Sequence, residues 1–238
     1  MKTQFLGING ATLWLAQQGL GLPVVIISGG PGCCDYLEPV ASVIDDVAHT
    51  IRFDSRGCGR SSQTPPYDLQ TIIKDLDILR RMLDFEQWVL LGHSWGADVA
   101  LAYALTYPMY TQGVLYLSGR GLQNDQDWKD AYRRGRDAGK EQTPEFAYPP
   151  SLEVNTVGNN SWKAFIKQPT LWKQISMLAV PMLAIVGSED IRPSWPVEQV
   201  ANLMPCAYFQ PIEGAGHYLW LTHLSELSLL LHQFLAIL

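Results

Sequence analysis

Cysteines and long apolar runs are scarce in this sequence. The chain holds four cysteines among 238 residues, and none has the C-x-x-C spacing of metal or redox sites. We therefore expect neither a disulfide framework nor a zinc site, but free thiols in a reducing cytoplasm. No run of 18 apolar residues suggests a membrane span, and residues 1–5 lack the basic and apolar regions of a signal peptide. The expected location is cytoplasmic, with no membrane partner.

Basic residues are also few. Lys and Arg number 17 against 23 Asp and Glu, which gives a net charge of −6. An acidic chain is poorly suited to phosphate backbones, so no nucleic-acid partner is expected. The composition that remains, with 47% hydrophobic and 17% charged residues, is typical of one globular domain with a sizeable core.

Short apolar runs rich in β-branched residues alternate with segments of helical periodicity. This alternation is typical of an α/β fold, in which helices cover a parallel sheet. The turn Asn9-Gly10 predicts an opening hairpin. Eight strands are predicted, over residues 5–8, 11–15, 23–27, 50–53, 88–91, 113–117, 181–186 and 207–212. Helices are predicted over about 39–47, 68–84, 95–107, 196–204 and 224–238.

The alternation fails between residues 120 and 180, after the sixth strand. This segment holds 9 of the 17 basic residues and the tryptophans Trp128, Trp162 and Trp172. A structureless loop of about 60 residues is improbable in a compact domain, so we expect a small helical cap. The predicted organisation is a single domain, with a core of residues 1–119 and 181–238 and a cap over 120–180.

The pentapeptide Gly92-His93-Ser94-Trp95-Gly96 matches G-x-S-x-G and lies between a predicted strand and a predicted helix. A sharp turn there strains the serine backbone and lifts its oxygen above the carboxyl end of the sheet. The N-terminus of the following helix favours developing negative charge. Ser94 is therefore the candidate nucleophile. The alternative is a serine that only caps the helix.

Two further side chains follow the strands that come after the cap. In hydrolases with this motif the chain order is serine, acid, histidine. Asp190 and His217 each follow a parallel strand, at the sheet edge where such folds collect their ligands. We expect His217 to accept the proton of Ser94 and Asp190 to orient the imidazole. Glu189 is the competing acid, and its plainer interpretation is a solvated loop carboxylate.

Acyl transfer also needs hydrogen-bond donors for the oxyanion, each worth about 3 kcal/mol in other enzymes. The backbone N–H of Trp95, directly after the nucleophile, is the first candidate. Gly30 is the second, because the run Gly29-Gly30-Pro31-Gly32 lets backbone approach a substrate closely. The alternative is an ordinary Gly/Pro turn. No metal or organic cofactor is expected.

These motifs together resemble the proline iminopeptidase branch of the α/β-hydrolase superfamily. The matching pieces appear in family order and span most of the sheet domain: residues 29–32, 54–61, 92–96, 101–104, 107–108, 187–190 and 216–217. The resemblance implies an α/β-hydrolase fold, with a mostly parallel eight-stranded sheet flanked by helices and a cap after the sixth strand. It also implies a serine hydrolase, in which Arg56 ties loops together near the site.

The chain departs from that branch in three respects. Ser28 stands where the family usually has a histidine that helps to order the oxyanion loop. His93 stands where the aminopeptidases usually have glycine, a variation common in esterases. The cap is short and lacks the Trp-Glu pair whose carboxylate binds the substrate ammonium in the aminopeptidases. Glu141, Glu145 and Glu153 are the remaining candidates for that role.

The predicted cap has 9 basic and 7 acidic residues, whereas the rest of the chain is strongly acidic. Its basic cluster consists of Arg133, Arg134, Arg136 and Lys140. A basic cap repels a substrate ammonium and attracts an acid group. The plainer interpretation is a solvated helix face with internal ion pairs such as Arg133 with Asp137.

The leading hypothesis is a serine hydrolase that acts on a small ester or amide through an acyl-enzyme on Ser94. The alternatives are a proline iminopeptidase-like aminopeptidase, an acyl thioesterase and, in another class, a non-catalytic ligand receptor on a hydrolase fold. Dehalogenase and epoxide hydrolase chemistry is disfavoured, because those relatives place Asp at the position of Ser94. The remaining histidines are expected in packing or surface roles: His49, His93, His223 and His232.

Overall fold

Eight strands form one sheet at the centre of the computed structural model, which describes residues 1–122, 125–139 and 141–238. The strands are β1 (Lys2–Ile8), β2 (Ala11–Gln18), β3 (Leu22–Ile27), β4 (Ala48–Phe53), β5 (Trp88–His93), β6 (Thr111–Leu117), β7 (Met182–Gly187) and β8 (Ala207–Ile212). They lie in the order β1-β2-β4-β3-β5-β6-β7-β8, and only the pairings of β2 are antiparallel. The predicted mostly parallel, eight-stranded sheet is confirmed.

Helices cover both faces of this sheet. On one face, α1 (Glu38–Ser42) and α8 (Trp220–Leu235) bury their apolar side chains against the strands. On the other face lie α2 (Leu69–Met82), α3 (Trp95–Thr106) and α7 (Trp195–Leu203). Strands between two helical layers have no polar face, which explains the uninterrupted apolar runs of β5 to β7. No helix in the described part of the chain is long and apolar enough to cross a membrane.

Two helix boundaries differ from the sequence-based expectation by about four residues or more. The helix predicted over 39–47 ends at Ser42, because the chain then turns into β4 through hydrogen bonds to the Ile44 carbonyl. The last helix begins at Trp220, four residues earlier than predicted. A break at His223, with φ −127°, separates its first turn from the remainder.

Between β6 and β7 the chain forms α4 (Gln126–Asp137), α5 (Leu152–Phe165) and α6 (Leu171–Ser176). The side chains of Asp125 and Ser151 accept hydrogen bonds from backbone N–H groups in the first turns of α4 and α5, which satisfies donors that the helices cannot. The start of α5 contacts the glycine run at 29–32, since the N–H of its N-cap residue Ser151 donates to the Gly32 carbonyl. The insertion therefore lies beside the carboxyl end of the sheet.

Candidate active site

Ser94 occupies a strained turn between β5 and α3. Its φ of 57° and ψ of −123° lie in a region that non-glycine residues rarely adopt. Crowding explains the flanking glycines, because a Cβ on Gly92 would lie 2.1 Å from the Gly96 carbonyl oxygen. The Ser94 side chain makes no capping hydrogen bond to α3. The helix-capping alternative thus lacks its expected contact.

His217 and Asp190 meet beyond the ends of β8 and β7. The His217 Nδ1 lies 2.6 Å from the Asp190 Oδ2, and both side chains are buried. Glu189, the competing acid, is exposed and has no such contact within the described residues. The other Asp190 oxygen accepts from the Arg192 backbone N–H at 2.9 Å and from its Nη1 at 3.1 Å. Asp190 is therefore the carboxylate that orients the His217 ring.

Burial and neighbouring charges shift the pKa values of His217 and Asp190. Removal from water lowers the pKa of His217 below its ordinary value of 6.5, and the Asp190 charge offsets part of that shift. For Asp190, burial acts to raise the pKa, but the charges of His217 and Arg192 hold it below the usual range. Near neutral pH the site therefore holds a neutral imidazole beside a carboxylate, the state required of a general base and its orienting partner.

Arg192 is a site residue that the sequence did not predict, and Glu141, a predicted candidate for binding a substrate ammonium, is its ion-pair partner. The Arg192 guanidinium forms ion pairs with both Glu141 and Asp190. Glu141, Asp190 and His217 form the one group of potential metal ligands found among the described residues. Because both carboxylates are already paired with Arg192, we interpret the cluster as an ion-pair network. Only the position of Arg192, two residues after Asp190, hinted at this role.

The glycine run at 29–32 lies next to Ser94, the candidate nucleophile. A Cβ on Gly29 would lie 2.7 Å from the Ser94 Cβ, so this backbone approach requires glycine. The Gly29 N–H already donates to the Tyr36 hydroxyl at 2.8 Å. Gly30 has φ 43° and lines the same cavity as Ser94 and Trp95. Of the two glycines, Gly30 is therefore the better candidate for the oxyanion donor.

His93 joins three parts of the site. Its Nδ1 accepts from the Tyr36 hydroxyl at 2.7 Å, and its Nε2 donates to the His217 carbonyl at 3.0 Å. We assign this tautomer because a carbonyl can only accept. Burial holds the pKa of His93 well below its ordinary value, so the ring stays neutral. Together with the Gly29–Tyr36 hydrogen bond, these contacts link the glycine run at 29–32, the Ser94 turn and the His217 loop.

Ser94 and His217 line different cavities. A cavity of about 310 Å³ contains Ser94, and one of about 200 Å³ contains His217. Within the described residues, no hydrogen bond joins the two side chains. Such contacts are often long in unliganded enzymes and tighten when the substrate binds. The Ser94 cavity is lined by Gly30, Pro31, Ser94, Trp95, Arg120, Trp128, Tyr132, Asn155, Asn159 and Arg192.

Three residues of the predicted basic cluster, Arg133, Arg134 and Arg136, lie on α4 and are not among the described residues that line the Ser94 cavity. The expected Arg133–Asp137 pair is wrong: Arg133 pairs with Asp130 at 3.0 Å, and Arg136 pairs with Asp137 at 2.9 Å. The expected pair and the observed pairs all join residues that are close together on an exposed helix, and the side-chain rotamers decide which pairs form. Lys140 lies outside the described residues. The positive charge at the cavity comes instead from Arg120 and Arg192.

Other predicted residues have structural roles. Arg56 is buried and holds the Asp75 carboxylate with Nε and Nη2 at 2.5 and 2.6 Å, which ties the 54–61 loop to α2. Glu145 and Glu153 are exposed and do not line the Ser94 cavity. The outlying histidines bond to nearby polar groups: His49 to Gln17, His223 to Thr222, and His232 to Asp46 and Ser228.

Comparison with known proteins agrees with this architecture. Residues 23–149 match the family described as alpha/beta hydrolase fold. A putative proline iminopeptidase of Mycoplasma pneumoniae is 34% identical over 126 residues, covering 49% of this chain and 38% of that protein. A proline iminopeptidase of Heyndrickxia coagulans is 28% identical over 174 residues, covering 66% and 59%. The predicted resemblance is confirmed, although the chain spans less than two thirds of these relatives' length.

Solved structures share the fold at low sequence identity. A thermophilic esterase from Thermogutta terrifontis has a TM-score of 0.78 and 21% identity, covering 99% of this chain and 98% of its own. A single-residue mutant of the meta-cleavage product hydrolase CumD has a TM-score of 0.77 and 18% identity, covering 99% and 98%. Likeness at this level establishes the fold alone.

Proposed function

The chain belongs to the alpha/beta hydrolase fold family, and we propose that it is a serine hydrolase that cleaves a small ester or amide through Ser94, His217 and Asp190. The observation that carries this proposal is the strained Ser94 turn, whose side chain has no capping role. Support comes from the His217–Asp190 pair, which His93 connects to the same turn.

The reaction begins when the Ser94 Oγ attacks the substrate carbonyl carbon and His217 Nε2 accepts the Ser94 proton. Nδ1–H keeps its bond to Asp190, whose charge stabilises the imidazolium. The oxyanion accepts hydrogen bonds from the N–H groups of Gly30 and Trp95. The intermediate collapses as His217 protonates the leaving alcohol or amine, and an acyl ester remains on Ser94. Water, deprotonated by His217, then hydrolyses that ester.

In this proposal residues 120–180 act as a cap over a core of residues 1–119 and 181–238. Support comes from the mixed lining of the cavity. Gly30 and Ser94 belong to the core, whereas Trp128 and Asn159 belong to helices of the insertion. The cytoplasmic location stays a prediction from the sequence.

The cavity lining favours an ester or simple amide over an N-terminal proline substrate. An aminopeptidase needs an anionic group for the substrate ammonium, and no carboxylate lines the Ser94 cavity among the described residues. Glu141 lies on the His217 side, and its charge is paired with Arg192. Acyl thioesters carry the same reacting carbonyl and stay a second candidate.

Covalent labelling tests the proposal against the receptor alternative. A fluorophosphonate probe is expected to form one adduct, at Ser94, identified by mass spectrometry of the digested protein. Ser118→Ala is the matched control, because Ser118 is also buried and has a positive φ of 45°. The control should label like the unmodified protein. Absence of an adduct would favour the receptor, and labelling of another residue instead of Ser94 would contradict the Ser94 assignment.

The hydrolytic activity should fall at acidic pH, where His217 is protonated and cannot act as the general base. We expect kcat/KM to fall as the pH drops through the His217 pKa, with a midpoint below 6.5, because burial disfavours the protonated ring. The measurement is ester hydrolysis from about pH 4 to about pH 8. The Glu141→Gln variant should move the midpoint lower still, because the Glu141 charge raises the His217 pKa. His232→Gln should leave it in place, and a midpoint above 6.5 contradicts the prediction.

Tyr36 is expected to position the oxyanion loop, in place of the histidine absent at Ser28. Tyr36→Phe removes the acceptor of the Gly29 N–H and the donor to His93, both of which are buried. We expect kcat to fall about tenfold with KM little changed, since oxyanion donors act in the transition state. Tyr208→Phe, at an exposed tyrosine, is the control. A purely structural role would lower stability without this kcat effect.

A further inference from the structure

Three buried hydrogen-bond donors around the Ser94 cavity have no partner among the described residues. They are Nη2 of Arg120, Nε1 of Trp95 and Nε1 of Trp128. All three residues line the cavity. Buried donors are nearly always paired in folded proteins, so three unpaired donors on residues that line one cavity need an explanation. One explanation is that a bound ligand supplies the missing hydrogen-bond acceptor.

Two of the three nitrogen atoms of the Arg120 guanidinium already have hydrogen-bond acceptors in the protein. Its Nε donates to the Asp98 Oδ2 at 2.7 Å, and its Nη1 donates to the Asn159 Oδ1 at 2.8 Å. Asp98 is buried, receives a further bond from the Tyr116 hydroxyl at 2.6 Å, and does not line the cavity. The Asp98 carboxylate thus holds the Arg120 guanidinium without being part of the cavity lining. Within the described ranges, Nη2 remains without a protein acceptor.

The cavity wall itself offers few acceptors. No Asp or Glu is among its ten lining residues in the described part of the chain. The side-chain oxygen of Asn159 accepts from Arg120, and that of Asn155 accepts from Asn159 Nδ2 at 3.1 Å. Arg192 is the second guanidinium at the cavity, and its carboxylate partners also lie outside the lining. The wall is therefore rich in donors and poor in acceptors.

We propose that the acyl part of the substrate ends in a carboxylate, which Arg120 binds together with the indole N–H of Trp128. This inference rests on the proposed function. The acyl side is indicated because the oxyanion donors Gly30 and Trp95 share a cavity with Arg120, whereas His217, which protonates the leaving group, lines the other. The volume of about 310 Å³ suits a short dicarboxylic half-ester or half-amide. A carboxylate matches charged donors with bonds stronger than those of a neutral acceptor.

Three methyl esters of similar size test the proposal: methyl hydrogen succinate, methyl 4-oxopentanoate and β-alanine methyl ester. They present a carboxylate, a neutral ketone and an ammonium. We expect kcat/KM, followed by methanol release, to be about tenfold or more higher for the half-acid than for the ketone, because one charge-assisted bond is gained. The ammonium ester should be the poorest substrate of the three.

Two variants locate the effect. Arg120→Lys keeps the charge beside Asp98 but loses the planar donor pair, and Trp128→Phe removes only one N–H. Each should lower the half-acid to ketone ratio at least severalfold. Arg133→Gln is the matched control, because Arg133 is an exposed arginine on α4 outside the cavity, and it should keep the ratio. If Arg120→Lys fails to fold by circular dichroism, Trp128→Phe decides.

The outcomes distinguish a failure of the carboxylate inference from a failure of the proposed hydrolase function. Equal rates on the half-acid and the ketone, with a fluorophosphonate adduct on Ser94, overturn the carboxylate inference and leave the hydrolase standing. A preference that persists in both Arg120→Lys and Trp128→Phe also overturns the inference. Absence of hydrolysis for all three esters, together with absence of the adduct, overturns the proposed function itself.

Discussion

Ser94→Ala is expected to lower kcat for ester hydrolysis by about 10⁵-fold or more, close to the rate left by binding and the oxyanion donors alone. The methyl group cannot form the acyl-enzyme, so His217 has no nucleophile to activate. Alanine has no larger side chain than serine, so the strained turn at φ 57° should still form. The measurement is the hydrolysis of 4-nitrophenyl acetate, with thermal unfolding recorded for the same sample.

The control for this variant is Ser118→Ala, which removes another buried hydroxyl at a residue with positive φ. It should keep its activity. Loss of less than about half of the activity in Ser94→Ala would contradict the assignment, because a nucleophile has no such substitute. Equal losses in both variants would indicate a folding defect instead of lost chemistry.

Asp190→Asn is expected to lower kcat by about 10⁴-fold with the fold intact. The carboxylate now accepts from His217 Nδ1 at 2.6 Å, which leaves Nε2 as the atom that can accept the Ser94 proton. An amide at this position can present its NH₂ group to the ring instead, which favours the wrong tautomer. It also removes the charge that stabilises the imidazolium. The measurement is kcat for the same ester at a pH above the His217 pKa.

Glu189→Gln is the matched control for Asp190→Asn, since the two carboxylates are adjacent in sequence but Glu189 is exposed. Its kcat should change by less than about twofold, as for a surface substitution. A larger loss in Glu189→Gln than in Asp190→Asn would make Glu189 the orienting acid. Arg192 keeps its ion pair with Glu141 in either variant, so its position should be maintained.

Much of the fold was predictable, because its signals are local. The hairpin turn at Asn9-Gly10 has φ of 49° and 78°, the backbone that these two residue types tolerate best. The strands that lie between two helical layers required continuous apolar runs, and the runs are visible in the sequence. The nucleophile turn required Gly92 and Gly96, because neighbouring backbone atoms leave no room for a Cβ on either.

Predictions from the local sequence were wrong where several contacts or backbone paths are possible within a short segment. Spacing along α4 permitted a pair between Arg133 and Asp137, yet Arg133 contacts Asp130. The first helix stops at Ser42 because hydrogen bonds to the Ile44 carbonyl lead the chain into β4. Side-chain rotamers and the entry into a strand depend on neighbours that periodicity does not describe.

The sequence itself identified Ser94, Asp190 and His217 as candidates, because Ser94 directly follows a strand, the other two lie in loops shortly after strands, and all three appear in the expected order along the chain. Only the tertiary structure decided what surrounds them. Arg120 and Asn159 are 39 positions apart and touch only because α5 folds back beside the segment that follows β6. No pattern links such residues in advance, since their contact depends on the folding of the whole insertion. The signals that make Ser94 the candidate nucleophile are thus a local property of the chain, and the lining of the cavity is a product of long-range packing.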